Sequence, residues 1–303
     1  MRSIQIMLRS FFIYLSQQKN LRRWMEHSTF AKPLTSRFIA GNTLEHALAV
    51  CQKLNRQGFL TTLDHLGESV SLIEEANLSR DHCLQALRLI HDRKIDSTIS
   101  IKLTQMGLDI DESLCFENAR QLVALASQTG SRVEFDMESS AYTDRTLSIV
   151  ERLHAEFGCV RAVLQAYLFR TEADIVELNR LALPVRICKG AYDEPDTLAY
   201  ENKVEVDENY LKLARLLLEH GNCPAIATHD DRMVSAATPF PKDKFEFQML
   251  YGVRRDLQRK LLAQRYRIRI YVPYGEAWYP YFMRRLAERP ANVLFLVRNF
   301  FKN

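Results

Sequence analysis

At 303 residues, with 47% hydrophobic and 26% charged side chains, the chain has room for one large domain or two small ones and an ordinary globular make-up. A net charge of +4 and a pI near 8.7 are too mild to argue for a nucleic-acid partner, and no Lys/Arg tract with interleaved aromatics occurs. The six cysteines (Cys51, Cys83, Cys115, Cys159, Cys188 and Cys223) form no C-x-x-C and no Cys/His pair at metal spacing. They read as reduced thiols of a cytoplasmic chain without a metal site.

The first fifteen residues, MRSIQIMLRSFFIYL, look like a signal peptide, but Arg9 interrupts the apolar run and no small-x-small cleavage site follows. Ile4, Leu8, Phe11 and Leu15 fall at helical spacing and predict an amphipathic helix docked on the domain. No apolar run approaches the ~20 residues of a bilayer span. Residues 1–57 read as an N-terminal helical segment, its last helix capped by Thr43 and stopped by Gly58.

From Phe59 strands and helices alternate. Strand segments are expected at 59–64, 97–107, 131–139, 160–167, 184–192, 224–230, 244–252 and from 267. Helices are expected at 77–92, 112–128, 143–157, 171–181 and 204–219, and over VRRDLQRKLLAQ. Gly107, Gly130, Gly158 and Gly221 punctuate them. The last stretch, RIRIYVPYGEAWYPYFMRRLAER, alternates through Ile268, Ile270 and Val272, breaks at Pro273 and Gly275, and resumes as a helix near Trp278. On that helix Tyr281, Arg284, Arg285 and Glu288 share a face. Paired guanidinium groups there suit a carboxylate, which Arg holds bidentately.

Eight βα units over about 240 residues predict a parallel (β/α)₈ barrel at 58–303, preceded by the helices of 1–57. Asp64, Lys102, Asp136, Gln165, Arg186, Lys189, Thr228, His229 and Tyr271 all fall toward the C-terminal ends of predicted strands. In this fold that rim holds the active site. The rim has no G-x-S-x-G, no H-E-x-x-H and no G-x-G fingerprint. It is rich in Arg and Lys, as an anionic substrate and a phosphate-bearing cofactor require, with Lys189-Gly190-Ala191 offering a charge and a closely approachable backbone. A Schiff-base lyase or aldolase using Lys102 or Lys189 is the alternative on the residues alone.

SIKLTQMGLD (100–109), VEFDMES (133–139), VLQAYLFRTE (163–172), VRICKGAY (185–192), ATHD (227–230), FEFQMLYGVR (245–254) and YVPYGEAWYPYFMRRLAERP (271–290) occur in that order. With RFIAGNTLEHAL and TTLDHLGE before them, they resemble the proline dehydrogenase family in its bacterial monofunctional form, over nearly the whole chain. The resemblance implies a distorted (β/α)₈ barrel that binds FAD. It implies oxidation of L-proline to Δ1-pyrroline-5-carboxylate by hydride transfer to flavin N5, the first step of proline catabolism to glutamate, with electrons passed to a membrane quinone. It also implies roles by position. Asp136 and Arg186 are catalytic, with Arg186 near N5. Lys102, Arg284 and Arg285 hold the proline carboxylate, and Tyr192, Leu250, Tyr271 and Glu288 line its ring. Met137, Gln165, Arg186, Lys189, Gly190, Ala191, Thr228 and His229 hold FAD.

One departure stands out: only 15 residues separate His229 from Phe245, including Pro239 and Pro241, so the helix after strand six is expected to be short or replaced by a turn. Electron delivery to a quinone implies contact with a membrane, on the inner face of the cytoplasmic membrane. The tail ANVLFLVRNFFKN (291–303) has the composition of an interfacial helix or of a last helix capping the barrel.

Overall fold

The computed structural model describes residue 18 and residues 37–67, 70–279 and 281–283. Arg284, Arg285, Glu288, the Ile4–Leu15 helix and the 291–303 tail lie outside the described residues.

Helix α1, Leu44–Arg56, precedes the barrel; the Thr43 hydroxyl accepts the His46 N–H at 3.4 Å, and Gly58 takes a φ of +93° just past the end. Eight strands follow: β1 Leu60–His65, β2 Ser97–Ile101, β3 Val133–Phe135, β4 Val160–Gln165, β5 Val185–Cys188, β6 Ala225–Ala227, β7 Glu246–Leu250 and β8 Ile268–Tyr274. Each pairs in parallel with its successor, and β8 pairs back on β1, closing the barrel. The helices between them are α2 Ile73–Asp92, α3 Glu112–Gln128, α4 Thr143–Phe157, α5 Thr171–Arg180, α6 Lys203–His220, α7 Asp231–Ala237 and α8 Arg255–Ala263.

Strand periodicity sorts the chemistry. Ile99, Ile101, Val133, Phe135, Leu164, Ile187, Phe247, Ile268 and Ile270 point outward and are buried against helix residues such as Leu48, Leu87, Leu122, Val150, Leu178, Leu217 and Leu257. This apolar shell supplies the hydrophobic driving force. The alternate positions point into the lumen, and many of them are charged.

Three local expectations change. Helix α2 begins at Ile73 rather than 77, because the Glu75 carboxylate accepts the N–H groups of Ser71 at 3.0 Å and Leu72 at 3.2 Å and so closes the first turn. The segment expected as strand over 97–107 leaves the sheet after Ile101 and becomes a 3₁₀ turn, Leu103–Met106, closed by Gly107 at φ +99°. Strand β8 runs through Pro273, whose register partner on β1 is Asp64. Pairing of β8 with β7 stops at Tyr271, and the Pro273 carbonyl accepts the Ala40 N–H at 2.9 Å. The proline nitrogen therefore faces the side where β7 has already ended, and no ladder bond is lost. The helix after β6 is short, as expected: α7 has 7 residues, with Asp230 as its N-cap.

Candidate active site at the barrel mouth

The lumen holds two charged layers. The lower one is built from Glu134 on β3, Arg161 on β4, Glu246 and Gln248 on β7 and Arg269 on β8. Arg161 Nη1 lies 2.5 Å from Glu246 Oε1 and 3.2 Å from Glu134 Oε1. Arg269 Nε donates to Glu246 Oε1 at 2.9 Å, and its Nη1 to the Thr61 carbonyl at 2.7 Å. Gln248 Nε2 donates to both acids. Burial alone would raise the Glu246 carboxyl, but Arg269 and Arg161 hold it well below the usual carboxylate range.

The upper layer opens toward the C-terminal mouth and centres on Asp136, one residue past β3. Its Oδ1 accepts from Ser100 Oγ at 2.7 Å and from Arg186 Nη2, and its Oδ2 accepts from Tyr271 Oη at 2.6 Å. Lys102 Nζ stands 3.6 Å from Asp136 Oδ2 and 3.4 Å from Asp64 Oδ1. The Arg186 guanidinium sits 5.5 Å from the Tyr271 ring centroid. Burial pushes Asp136 upward, but Arg186, Lys102, Tyr271 and Ser100 together hold it below its ordinary value. Asp64 goes the other way: burial raises it against the pull of Lys102, and the Asp136 charge adds to the rise. Burial also lifts the Tyr271 phenol well above its ordinary value, so it stays a donor to Asp136. Arg186 would be lowered by burial, but Asp136 and Glu134 keep it charged.

Around the mouth the structure sorts the other expected residues. Lys102, Asp136, Arg186 and Tyr271 converge in the layer just described, and Leu250 ends β7 with its N–H donated to His229 Nε2 at 2.9 Å. That bond fixes His229 in a tautomer with Nε2 as acceptor. Thr228 is buried, and its hydroxyl accepts the Asp230 N–H at 3.1 Å. Lys189 does not present a bare charge: its Nζ lies 2.5 Å from Asp207 and 3.2 Å from Asp230, tying β5, α6 and the start of α7 together. Tyr192 and Ala191 lie in the loop after β5, half-buried. The same loop is anchored by Glu194, which accepts from the Ser140 N–H at 2.7 Å and from Tyr167 Oη at 3.3 Å.

Ser100, Glu134, Arg161, Glu246, Gln248 and Arg269 were not singled out by sequence reading. The signal that finds them is parity. Glu134 is two residues from Asp136, Arg161 is four from Gln165, and Arg269 is two from Tyr271. Each shares the lumenal face with a rim residue.

Two observations bear on a bound cofactor. Gln165 is buried at the end of β4, and its Oε1 has no hydrogen-bond partner among the described residues, although Nε2 faces the Met137 carbonyl at 3.5 Å. A buried acceptor left without a donor is costly unless a ligand supplies one. Gly190 adopts φ +113°, and a Cβ there would stand 2.1 Å from the Tyr167 ring, so the backbone passes where only glycine fits. The glycine is explained by the Tyr167 ring packed on it, whereas the buried Gln165 acceptor and the Arg186 cation fit a polar-edged cofactor. Both lysines that the lyase alternative would use are held by carboxylates, whereas Schiff-base chemistry needs the neutral amine.

A sequence profile described as proline dehydrogenase matches residues 47–298. The chain is 41% identical over 300 residues to proline dehydrogenase 2 of Bacillus subtilis (strain 168), covering 97% of this chain and 99% of that protein. It is 41% identical over 280 residues to the proline dehydrogenase of Deinococcus radiodurans, covering 89% of this chain and 90% of that one. Among solved structures, proline utilization A (PutA) from Bdellovibrio bacteriovorus inactivated by N-propargylglycine superimposes with a TM-score of 0.80 at 25% identity. The match covers 93% of this chain and 36% of the longer PutA chain, so it concerns one part of that protein.

Proposed function

The chain belongs to the proline dehydrogenase family, and from that premise we propose that it oxidises L-proline to Δ1-pyrroline-5-carboxylate with FAD, passing the electrons to a membrane quinone. The observation that carries this reading is the Asp136 cluster: a half-buried carboxylate fixed by Arg186, Tyr271 and Ser100, with Lys102 beside it, at the open end of the barrel. The reading also accounts for a catalytic mouth without a nucleophile, since the reaction belongs to a cofactor and the protein supplies orientation and charge.

Gln165, Met137, Arg186, the Lys189–Ala191 turn, Thr228 and His229 would hold FAD, the backbone at Gly190 and Ala191 contributing more than the Lys189 ammonium, which Asp207 and Asp230 already occupy. Bound FAD supplies the hydride acceptor for proline C5. Arg284, Arg285 and Lys102 bind the substrate carboxylate, while Tyr192, Leu250, Tyr271 and Glu288 enclose the ring. Fixing the carboxylate at one end orients C5 at the other and removes most of the entropy of encounter. Asp136, held ionised, is a poor proton acceptor at neutral pH. Its role is that of a fixed negative charge that keeps Arg186 and the Tyr271 hydroxyl in place.

Delivery to a quinone puts the protein to work at the inner face of the cytoplasmic membrane as a peripheral protein. Among the described residues no helix is long and apolar enough to cross a membrane. The test is a visible spectrum of the FAD-loaded chain before and after anaerobic L-proline. Oxidised-flavin bands that bleach on addition support cofactor, substrate and direction together. A chain that takes up no FAD, or holds FAD that proline does not bleach, overturns the reading.

A further inference from the structure

We propose that Gln248 is a positioning residue for this reaction: its amide locks the Arg186 guanidinium between the two charged layers and so sets the charge that Arg186 presents at the mouth. The proposal rests on the functional reading above, in which Arg186 meets the flavin.

Gln248 points into the lumen from β7 and is 3% exposed. Its Nε2 lies 2.9 Å from Glu246 Oε1 and 3.0 and 3.2 Å from the two oxygens of Glu134. Ionised carboxylates only accept hydrogen bonds, so the NH₂ end of the amide must face them. That leaves Oε1 facing Arg186 Nη1, 3.0 Å away. The reversed amide would set its oxygen against two carboxylates and its NH₂ against a guanidinium. One orientation is therefore enforced, and it offers Arg186 a neutral acceptor.

The neutrality matters. Arg186 Nη1 is also 3.3 Å from Glu134 Oε2, while Nη2 is bound to Asp136 and lies 3.5 Å from Ser100 Oγ. The guanidinium is thus pulled downward by Glu134 and upward by Asp136. Gln248 occupies Nη1 without adding charge, and its NH₂ takes part of the accepting capacity of Glu134. Removing the amide would free that capacity and draw Arg186 down the lumen, away from the mouth. A carboxylate at the same place would put a third acid beside Glu134 and Glu246 and draw it down further. The lower layer therefore reaches Arg186 directly through Glu134, and Gln248 tempers that pull with an uncharged acceptor.

The test uses the FAD-loaded full chain and compares Gln248→Met with wild type by reductive titration of the bound flavin. The expected result is a tenfold loss in preference for the reduced flavin, about 30 mV lower for a two-electron couple. Steady-state kinetics should show kcat down about tenfold or more, with the proline KM within about threefold of wild type, because the carboxylate clamp is untouched. Thr98→Val is the control: it removes a donor to Glu134 Oε1, at 3.3 Å, and leaves Oε2, the oxygen that Arg186 and Gln248 share, as it was, so the potential should stay where it was. Gln248→Asn, one methylene too short to span both contacts, should move the potential in the same direction as Gln248→Met. A wild-type potential in Gln248→Met, or an equal shift in Thr98→Val, overturns the assignment. So does failure of both Gln248 variants to fold and hold FAD, which would make the residue structural only. A wild-type chain that takes up no FAD overturns this inference together with the functional reading, whereas a wild type reduced by proline beside an unshifted Gln248→Met overturns this inference alone.

Discussion

The two charged layers of the barrel interior have the same ionic make-up and different surroundings. The lower layer sets Glu134 and Glu246 against Arg161 and Arg269, all buried, with Gln248 and Thr98 as further donors to Glu134. The upper layer sets Asp64 and Asp136 against Lys102 and Arg186. In most barrels of this fold such layers are Val, Ile and Leu. Here each layer is neutral by pairing, but only the upper one faces the mouth and combines one raised carboxyl with one lowered. Carboxyls pushed apart in this way are a feature of sites that do chemistry. The lower layer is scaffolding of ionic kind, and what it gives the upper layer is position.

The comparison breaks first at Glu246. Glu246→Ala removes the acid shared by Arg161 and Arg269 and leaves two buried guanidinium groups short of charge. Losing one partner of a buried pair typically costs about 3–5 kcal/mol. The denaturation midpoint in urea should fall accordingly. A variant that unfolds at the wild-type midpoint would show that the lower layer does not hold the barrel together.

The next effect tests the neutrality of the upper layer. With Asp64 and Asp136 already drawing on Lys102 and Arg186, Lys102 alone is too little for an anionic substrate, and the sequence offers Arg284 and Arg285 beside it. Truncating one partner of a desolvated charge pair costs about 2–5 kcal/mol. Arg285→Ala should therefore raise the proline KM at least about tenfold while the bound flavin stays in place. An unchanged KM would mean that the upper layer binds the carboxylate unaided.

How legible these layers were in the sequence follows from distance along the chain. The barrel was readable because each βα unit is local: alternating strands, amphipathic helices and glycine stops recur eight times. The rim was readable because Lys102, Asp136 and Gln165 each end or directly follow a strand, although β8 runs three residues past Tyr271. The lower layer was not, because its pairs join residues 85 apart, as with Arg161 and Glu246, or 114 apart, as with Gln248 and Glu134. Along its own strand Glu134 alternates with Arg132 and Asp136, a pattern that a solvated strand face shares. Lys189 shows the converse. Its strand-end position suggested a phosphate ligand, and only the tertiary fold brings Asp207 and Asp230 to it. Pro273 likewise looked like a strand breaker until the end of β7 beside it was visible.

A smaller effect is expected inside the upper layer. Tyr271→Phe removes one charge-assisted donor from Asp136, at 2.6 Å, worth about 1.5–3 kcal/mol. Its signature lies in pH. Asp136 is held below the ordinary carboxyl value, so its stabilisation is present above that value and is lost as pH falls through the folded one. Without the phenol the folded value rises, and the acid loss of stability should begin at a higher pH. Urea midpoints measured across the acid range would show this as a shifted limb. Superimposable limbs would mean that Arg186 and Lys102 alone fix the charge.

The smallest effect is also the one of opposite sign. Asp64 is as buried as Glu246, yet burial outweighs the pull of its one cation, Lys102, and the Asp136 charge works against it too. A carboxyl whose folded value is raised is harder to ionise in the native state than in the unfolded chain. Above its folded value it therefore subtracts from stability, and the subtraction disappears as pH falls toward the unfolded value. Asp64→Asn keeps the shape and an oxygen for Lys102 while removing the charge that burial penalises. Replacing a poorly compensated buried ion by a neutral group of the same volume is often neutral or stabilising, here by roughly 1 kcal/mol. At neutral pH the variant should be at least as stable as wild type, and the difference should vanish in acid, where Asp64 is protonated anyway. If Asp64→Asn instead loses several kcal/mol, as Glu246→Ala should, then Asp64 is as firmly paired as the lower-layer acids, and the distinction between the two layers fails at its most direct test.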